Sequence, residues 1–134
     1  MAKILVVEDL PPMLRMLVRV LKSHGYETVT AENGVEAISQ AENERPDLIV
    51  LDMILPLQNG YAVCRTLRSH PELHRVPILM VSAWTRTKVG DDPMGPDLHL
   101  AKPFHNDDLL EHIDYLLKSG RSEPPPEQNP AAGS

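Results

Sequence analysis

Leu48-Ile49-Val50-Leu51-Asp52 is a run of four apolar residues closed by a carboxylate. A run that is apolar at every position leaves no face for water. It therefore reads as a strand buried on both sides, the pattern of a parallel sheet covered by helices. Its charge arrives only at the last residue, where the strand leaves the core. Working outward, Ile4-Leu5-Val6-Val7 repeats the pattern and ends abruptly in Glu8-Asp9, and Ile78-Leu79-Met80-Val81 runs into Ser82-Ala83. Tyr26 to Thr30 has the composition of a strand. Leu98 to Ala101 is a shorter one that runs into Lys102-Pro103.

Helical periodicity fills most of the intervals. Pro11-Pro12 fit a first helical turn, and Leu14, Leu17, Val18 and Leu21 recur at helical spacing until His24-Gly25. Asn33-Gly34 interrupts the second strand, and Val35, Ile38 and Ala41 form a weaker stripe that ends before Pro46. Asn59 to Ser69 reads as a helix with Val63 and Leu67 inward. Asp107 to Lys118 closes the domain with a stripe of Leu109, Ile113, Leu116 and Leu117. Five strands alternating with helices, joined by right-handed crossovers, predict a doubly wound α/β domain over residues 1–118. One interval breaks the rhythm. Thr85 to Asp97 contains Gly90, Pro93, Gly95 and Pro96, so the fourth helix is expected to be truncated or replaced by a loop past Val89. Residues 119–134 are polar and rich in proline, and read as a disordered tail or linker.

A length of 134 residues suits one domain; with a net charge of −6 and the Lys and Arg residues spread along the chain, nothing suggests a basic stripe for phosphate backbones. Direct nucleic-acid binding is not expected. Cys64 is the only cysteine, so an intramolecular disulfide is impossible and its expected place is the core. The apolar run after Met1-Ala2-Lys3 is too short for a signal peptide or a membrane span, which predicts a cytoplasmic protein. His70 and His74 are separated by Pro71, and no other pair stands at zinc-binding helical spacing. The methionines fall where apolar filler is expected.

Ligands of open parallel sheets bind beyond the carboxyl ends of the strands. Those ends here carry Glu8 and Asp9, Asp52, Ser82 and Lys102. Three carboxylates brought together repel one another unless a cation compensates, and an all-oxygen site suits Mg²⁺. With Mg²⁺ and Lys102 balancing charge, one carboxylate can act as a nucleophile toward phosphorus, and Ser82 can donate to the phosphoryl group.

Together, Glu8-Asp9, Asp52-Met53-Ile54-Leu55-Pro56, Ser82-Ala83 and Lys102-Pro103-Phe104 resemble the receiver family of response regulators in two-component signalling, over roughly residues 3–118. The resemblance implies a flavodoxin-like strand order 2-1-3-4-5 and a cis bond before Pro103. It implies that Asp52 accepts a phosphoryl group from a phosphohistidine on a sensor kinase or phosphotransfer protein. Glu8, Asp9, Asp52 and the Ile54 backbone carbonyl are then expected to hold Mg²⁺, with Lys102 and Ser82 completing the site. Gly60 fits the family's glycine at the turn into the third helix.

Some positions depart from that family. His99 stands three residues before Lys102, where an aromatic that rotates on phosphorylation is usual, so coupling is expected to change and to acquire pH sensitivity. Ile54 and Trp84, two residues after Asp52 and Ser82, are bulky and apolar. Both are expected to hinder water and to slow dephosphorylation. The primary reading is a stand-alone switch that accepts a phosphoryl group and changes its affinity for a downstream protein. The alternative is a phosphorylation-independent interaction module of the same fold. An aspartyl phosphatase would need a second acid where Ile54 stands.

Overall fold

The structure is a computed structural model, describing residues 1–56, 58–83 and 93–119. Five strands, β1 (Lys3–Val7), β2 (Glu27–Ala31), β3 (Leu48–Asp52), β4 (Ile78–Ser82) and β5 (Leu98–Ala101), form one parallel sheet in the order 2-1-3-4-5. Four helices accompany them: α1 (Pro11–Ser23), α2 (Gly34–Glu44), α3 (Gly60–Ser69) and α4 (Asn106–Ser119). The doubly wound architecture is the one expected from the apolar strands, and the flavodoxin-like strand order is the one the resemblance implied. Residues 84–92 lie outside the described residues, and with them most of the expected irregular fourth crossover. Pro93 to Asp97 form turns and bends. The expected tail begins at Ser119, which is the last residue of α4; 120–134 also lie outside the described residues.

Alternation along the strands builds two cores, one on each face. Leu5, Val7, Ile49, Leu51, Ile78 and Met80 pack against α2 and α3, where Cys64 is buried beside Val63 and Leu67. Ile4, Val6, Leu48, Val50, Leu79, Val81 and Leu100 pack against Leu17 and Leu21 of α1 and Leu109, Ile113 and Leu116 of α4. All five residues of β3 are buried, which is why its sequence shows no period of two.

Two expectations are corrected. Tyr26 precedes β2, because its amide bonds back to the Leu21 carbonyl in the turn after α1. Val35 is 62% exposed; the face α2 buries is Gly34, Ala37 and Ala41, small residues that let the helix lie close to the sheet. Asn33 and Asn59 accept the Glu36 and Ala62 amides at 2.8 and 2.9 Å, so both asparagines are N-caps that start α2 and α3.

Register brings the strand ends level. Val7 pairs with Leu51, Asp52 with Val81, and Ser82 with Ala101. Glu8, Asp52, Ser82 and Lys102 thus leave the sheet along one edge.

Candidate functional site

The site lies on that edge. The Glu8 amide still bonds to the Ala31 carbonyl at 3.0 Å, and the Lys102 amide to the Ser82 carbonyl at 2.8 Å, so both residues are aimed by extensions of their strands. Asp52 is the last residue of the buried central strand and is 7% exposed; Glu8 is 1% exposed. Lys102 Nζ stands 3.2 Å from Glu8 Oε1 and 3.5 Å from Asp52 Oδ2. Its ammonium therefore bridges two carboxylates that would otherwise repel each other. Glu8 Oε2 accepts the Leu10 amide at 3.2 Å, and Asp52 Oδ1 accepts the Ile54 amide at 3.3 Å.

Ligand oxygens of Glu8, Asp9 and Asp52 lie within 4.8 Å of one another, the one such cluster of three or more among the described residues. Burial pushes the Glu8 carboxyl above the usual range, the negative charge of Asp52 pushes it further, and Lys102 opposes both. Such a site gains from an added cation. Three carboxylates with Lys102 alone on the other side suit a small hard ion with oxygen ligands, so the donor set fits Mg²⁺.

The remaining expected residues divide. Ser82 is buried at the end of β4, and Ala83 is exposed directly after it. The Lys102-Pro103 bond is cis, as the resemblance implied. Ile54 meets Asp52 through its amide while its side chain is 66% exposed. Trp84 lies outside the described residues. Gly60 is held against the end of β3: its amide bonds to the Met53 carbonyl at 2.7 Å, and a Cβ there would stand 2.6 Å from the Asp52 carbonyl oxygen. The glycine is required by close approach, its φ being ordinary.

His99 is half-buried on β5, opposite Met80. Its Nε2 stands 2.9 Å from the Tyr61 hydroxyl, and its buried Nδ1 has no hydrogen-bond partner among the described residues. The sequence reading missed Tyr61. Its signal was a hydroxyl-bearing aromatic on the same stripe of α3 as Arg68, beside the apolar stripe of Val63 and Leu67.

Burial holds the His99 imidazole below its ordinary value. The unfolded chain therefore takes up the proton first as pH falls through about 6.5, and folding stability drops below that point. Urea midpoints compared at roughly pH 7.5 and 5.5 should fall more for the wild type than for His99→Leu. Equal losses would show that His99 contributes nothing to the acid sensitivity.

A family model described as the response regulator receiver domain matches residues 4–114. The chain is similar to Protein PilH of Pseudomonas aeruginosa, at 32% identity over 87% of this chain and 98% of that protein. The DNA-binding response regulator MtrA of Mycolicibacterium smegmatis is 37% identical over 91% of this chain, which spans about half (53%) of that relative's length. Among solved structures, the receiver domain of the sensor histidine kinase PA1611 from Pseudomonas aeruginosa, with a magnesium ion coordinated in its active-site cleft, superposes with a TM-score of 0.79. It is 30% identical over 87% of this chain and 98% of that one.

Proposed function

Because the chain belongs to the response regulator receiver domain family, we propose that it is a phosphorylation switch whose acceptor is Asp52. The observation that carries the reading is the placement of Lys102 Nζ within 3.5 Å of carboxylates from two different strands, with Asp9 completing the cluster. In the transfer, a carboxylate oxygen of Asp52 forms the new bond to phosphorus as the phosphorus–nitrogen bond of a phosphohistidine breaks. The imidazole nitrogen keeps the electron pair. Lys102 neutralises charge on the phosphoryl oxygens, and the Ser82 hydroxyl donates to one of them. Mg²⁺ bound by Glu8, Asp9, Asp52 and the Ile54 backbone carbonyl would supply further charge neutralisation of the same oxygens.

The donor is then a sensor histidine kinase or a phosphotransfer protein, and the output is a changed affinity for a downstream protein. The chain's only catalysis is on its own aspartate, by phosphorylation and dephosphorylation. The near-complete span of PilH supports a stand-alone switch. Among the described residues no helix is long and apolar enough to cross a membrane, and a cytoplasmic place is part of the same proposal. Loading Asp52 from acetyl phosphate and Mg²⁺, with Asp52→Asn as control, tests the reading.

The exposed Ile54 side chain beside Asp52 supports a long-lived acyl phosphate, since an apolar group there gives attacking water no hydrogen bond. Ile54→Asn combined with Trp84→Glu should speed loss of the phosphoryl group by roughly tenfold, short of the hundredfold or more that full general acid–base assistance provides. An unchanged decay rate would remove both residues from the account.

A further inference from the structure

Two side-chain ties join α3 to the neighbourhood of β5, and they differ in quality. Tyr61 and Arg68 are seven residues apart, two helical turns along one stripe. At the far end from the site, Arg68 Nη2 bonds to Asp97 Oδ2 at 2.9 Å, just before β5 begins. That carboxylate also accepts the Ile78 amide at 2.8 Å. At the near end, Tyr61 bonds to His99 and leaves Nδ1 buried without a partner among the described residues. A buried nitrogen left without a partner is destabilising. The near tie is the weaker of the two by construction.

It also closes a circuit around the phosphoryl site. From Asp52 the chain passes to Met53, whose carbonyl accepts the Gly60 amide at 2.7 Å, and Tyr61 follows. Across the hydrogen bond, His99 precedes Lys102 by three residues, and Lys102 Nζ returns to Asp52 at 3.5 Å. β5 is an edge strand, paired only with β4 among the described residues, so its Lys102 end is held to the sheet from one side, through the Lys102 amide on the Ser82 carbonyl.

We propose that Tyr61 and His99 form a breakable tie that sets the position of the Lys102 end of β5, and that loading of Asp52 opens it while Arg68–Asp97 stays fixed. The proposal rests on Asp52 being the phosphoryl acceptor. New negative oxygens beside Asp52 draw the Lys102 ammonium from Glu8, and the strand end moves with it. The tie that gives is the one already carrying an unpartnered nitrogen. Neither residue touches the phosphoryl group; both are positioning residues.

Coupling is reciprocal: if loading opens the tie, cutting the tie favours loading by the same factor. The probe is beryllium trifluoride with saturating Mg²⁺, followed by nuclear magnetic resonance on wild type, Tyr61→Phe, His99→Leu and the double variant. Tyr61→Phe should bind the probe more tightly, on the order of fivefold. In the His99→Leu background the same change should gain clearly less, because the Tyr61–His99 bond is already absent. A purely structural role would lower stability without this non-additive gain. Unchanged or weaker binding by Tyr61→Phe, or additive effects in the double variant, overturns the tie. A wild type that binds no probe at all overturns the Asp52 reading and this proposal with it.

Discussion

Incubated with acetyl phosphate and Mg²⁺, the wild-type chain should gain the mass of one phosphoryl group, and Asp52→Asn should gain none. The effect is expected to be complete, because the amide removes the nucleophilic oxygen. Neither Glu8 nor Asp9 can take its place. Glu8 is 1% exposed and committed to Lys102 and the Leu10 amide. Asp9 lies beyond the end of β1, in the loop that leads into α1. Removing Mg²⁺ with a chelator should have nearly the same consequence, since Lys102 alone would face three carboxylates and an incoming phosphoryl group. Lys102→Met should lower the extent of loading without abolishing it. No gain in the wild type, from acetyl phosphate or from a phosphohistidine donor, would leave the fold intact and remove the switch.

Arg68→Met should destabilise the domain by about 3–5 kcal/mol, the usual result of leaving one partner of a buried ion pair. The Arg68 side chain is 2% exposed and Asp97 is 15% exposed. Beyond the carboxylate, the guanidinium donates to the Val76 carbonyl at 2.6 Å and to those of His74 and Gly95 at 3.3 Å. One side chain thus pins the turn after α3 and the segment before β5. A lowered urea midpoint with an unchanged slope is the expected readout. Adding Asp97→Asn should recover part of the loss, because it removes the uncompensated charge while its oxygen can still accept the Ile78 amide. A loss below about 1 kcal/mol, typical of surface ion pairs, would mean that the guanidinium is replaceable.

Much of the domain was legible because burial on both faces writes itself into composition. Leu48 to Leu51 and Ile78 to Val81 have no polar position at which to place water, so they are central strands, and the acids and Ser82 that end them fall together at one edge. That logic needs no knowledge of loops. It fails where the structure depends on them. Arg68 looks like an ordinary exposed helical arginine, since the carbonyls it satisfies come from His74, Val76 and Gly95, whose convergence no local pattern encodes. Glu8 was read as one of several metal ligands, whereas the geometry makes it the nearer partner of Lys102 as well. His99 stood out by position, but Tyr61 did not, because helix-to-strand pairing depends on how far α3 slides along the sheet. Val35 was misplaced because the stripe drawn through Val35, Ile38 and Ala41 passed over Gly34 and Ala37, small residues that let the helix approach closely.

The contact between Gly60 and the Asp52 carbonyl bears on how such a protein can diversify. Position 54, whose side chain projects into solvent, precedes by six positions residue 60, which has no room for a single methyl group. On the proposed function, change in this loop is channelled: the lifetime of the acyl phosphate can be altered through position 54, whereas a side chain at position 60 would disturb the backbone that carries Asp52.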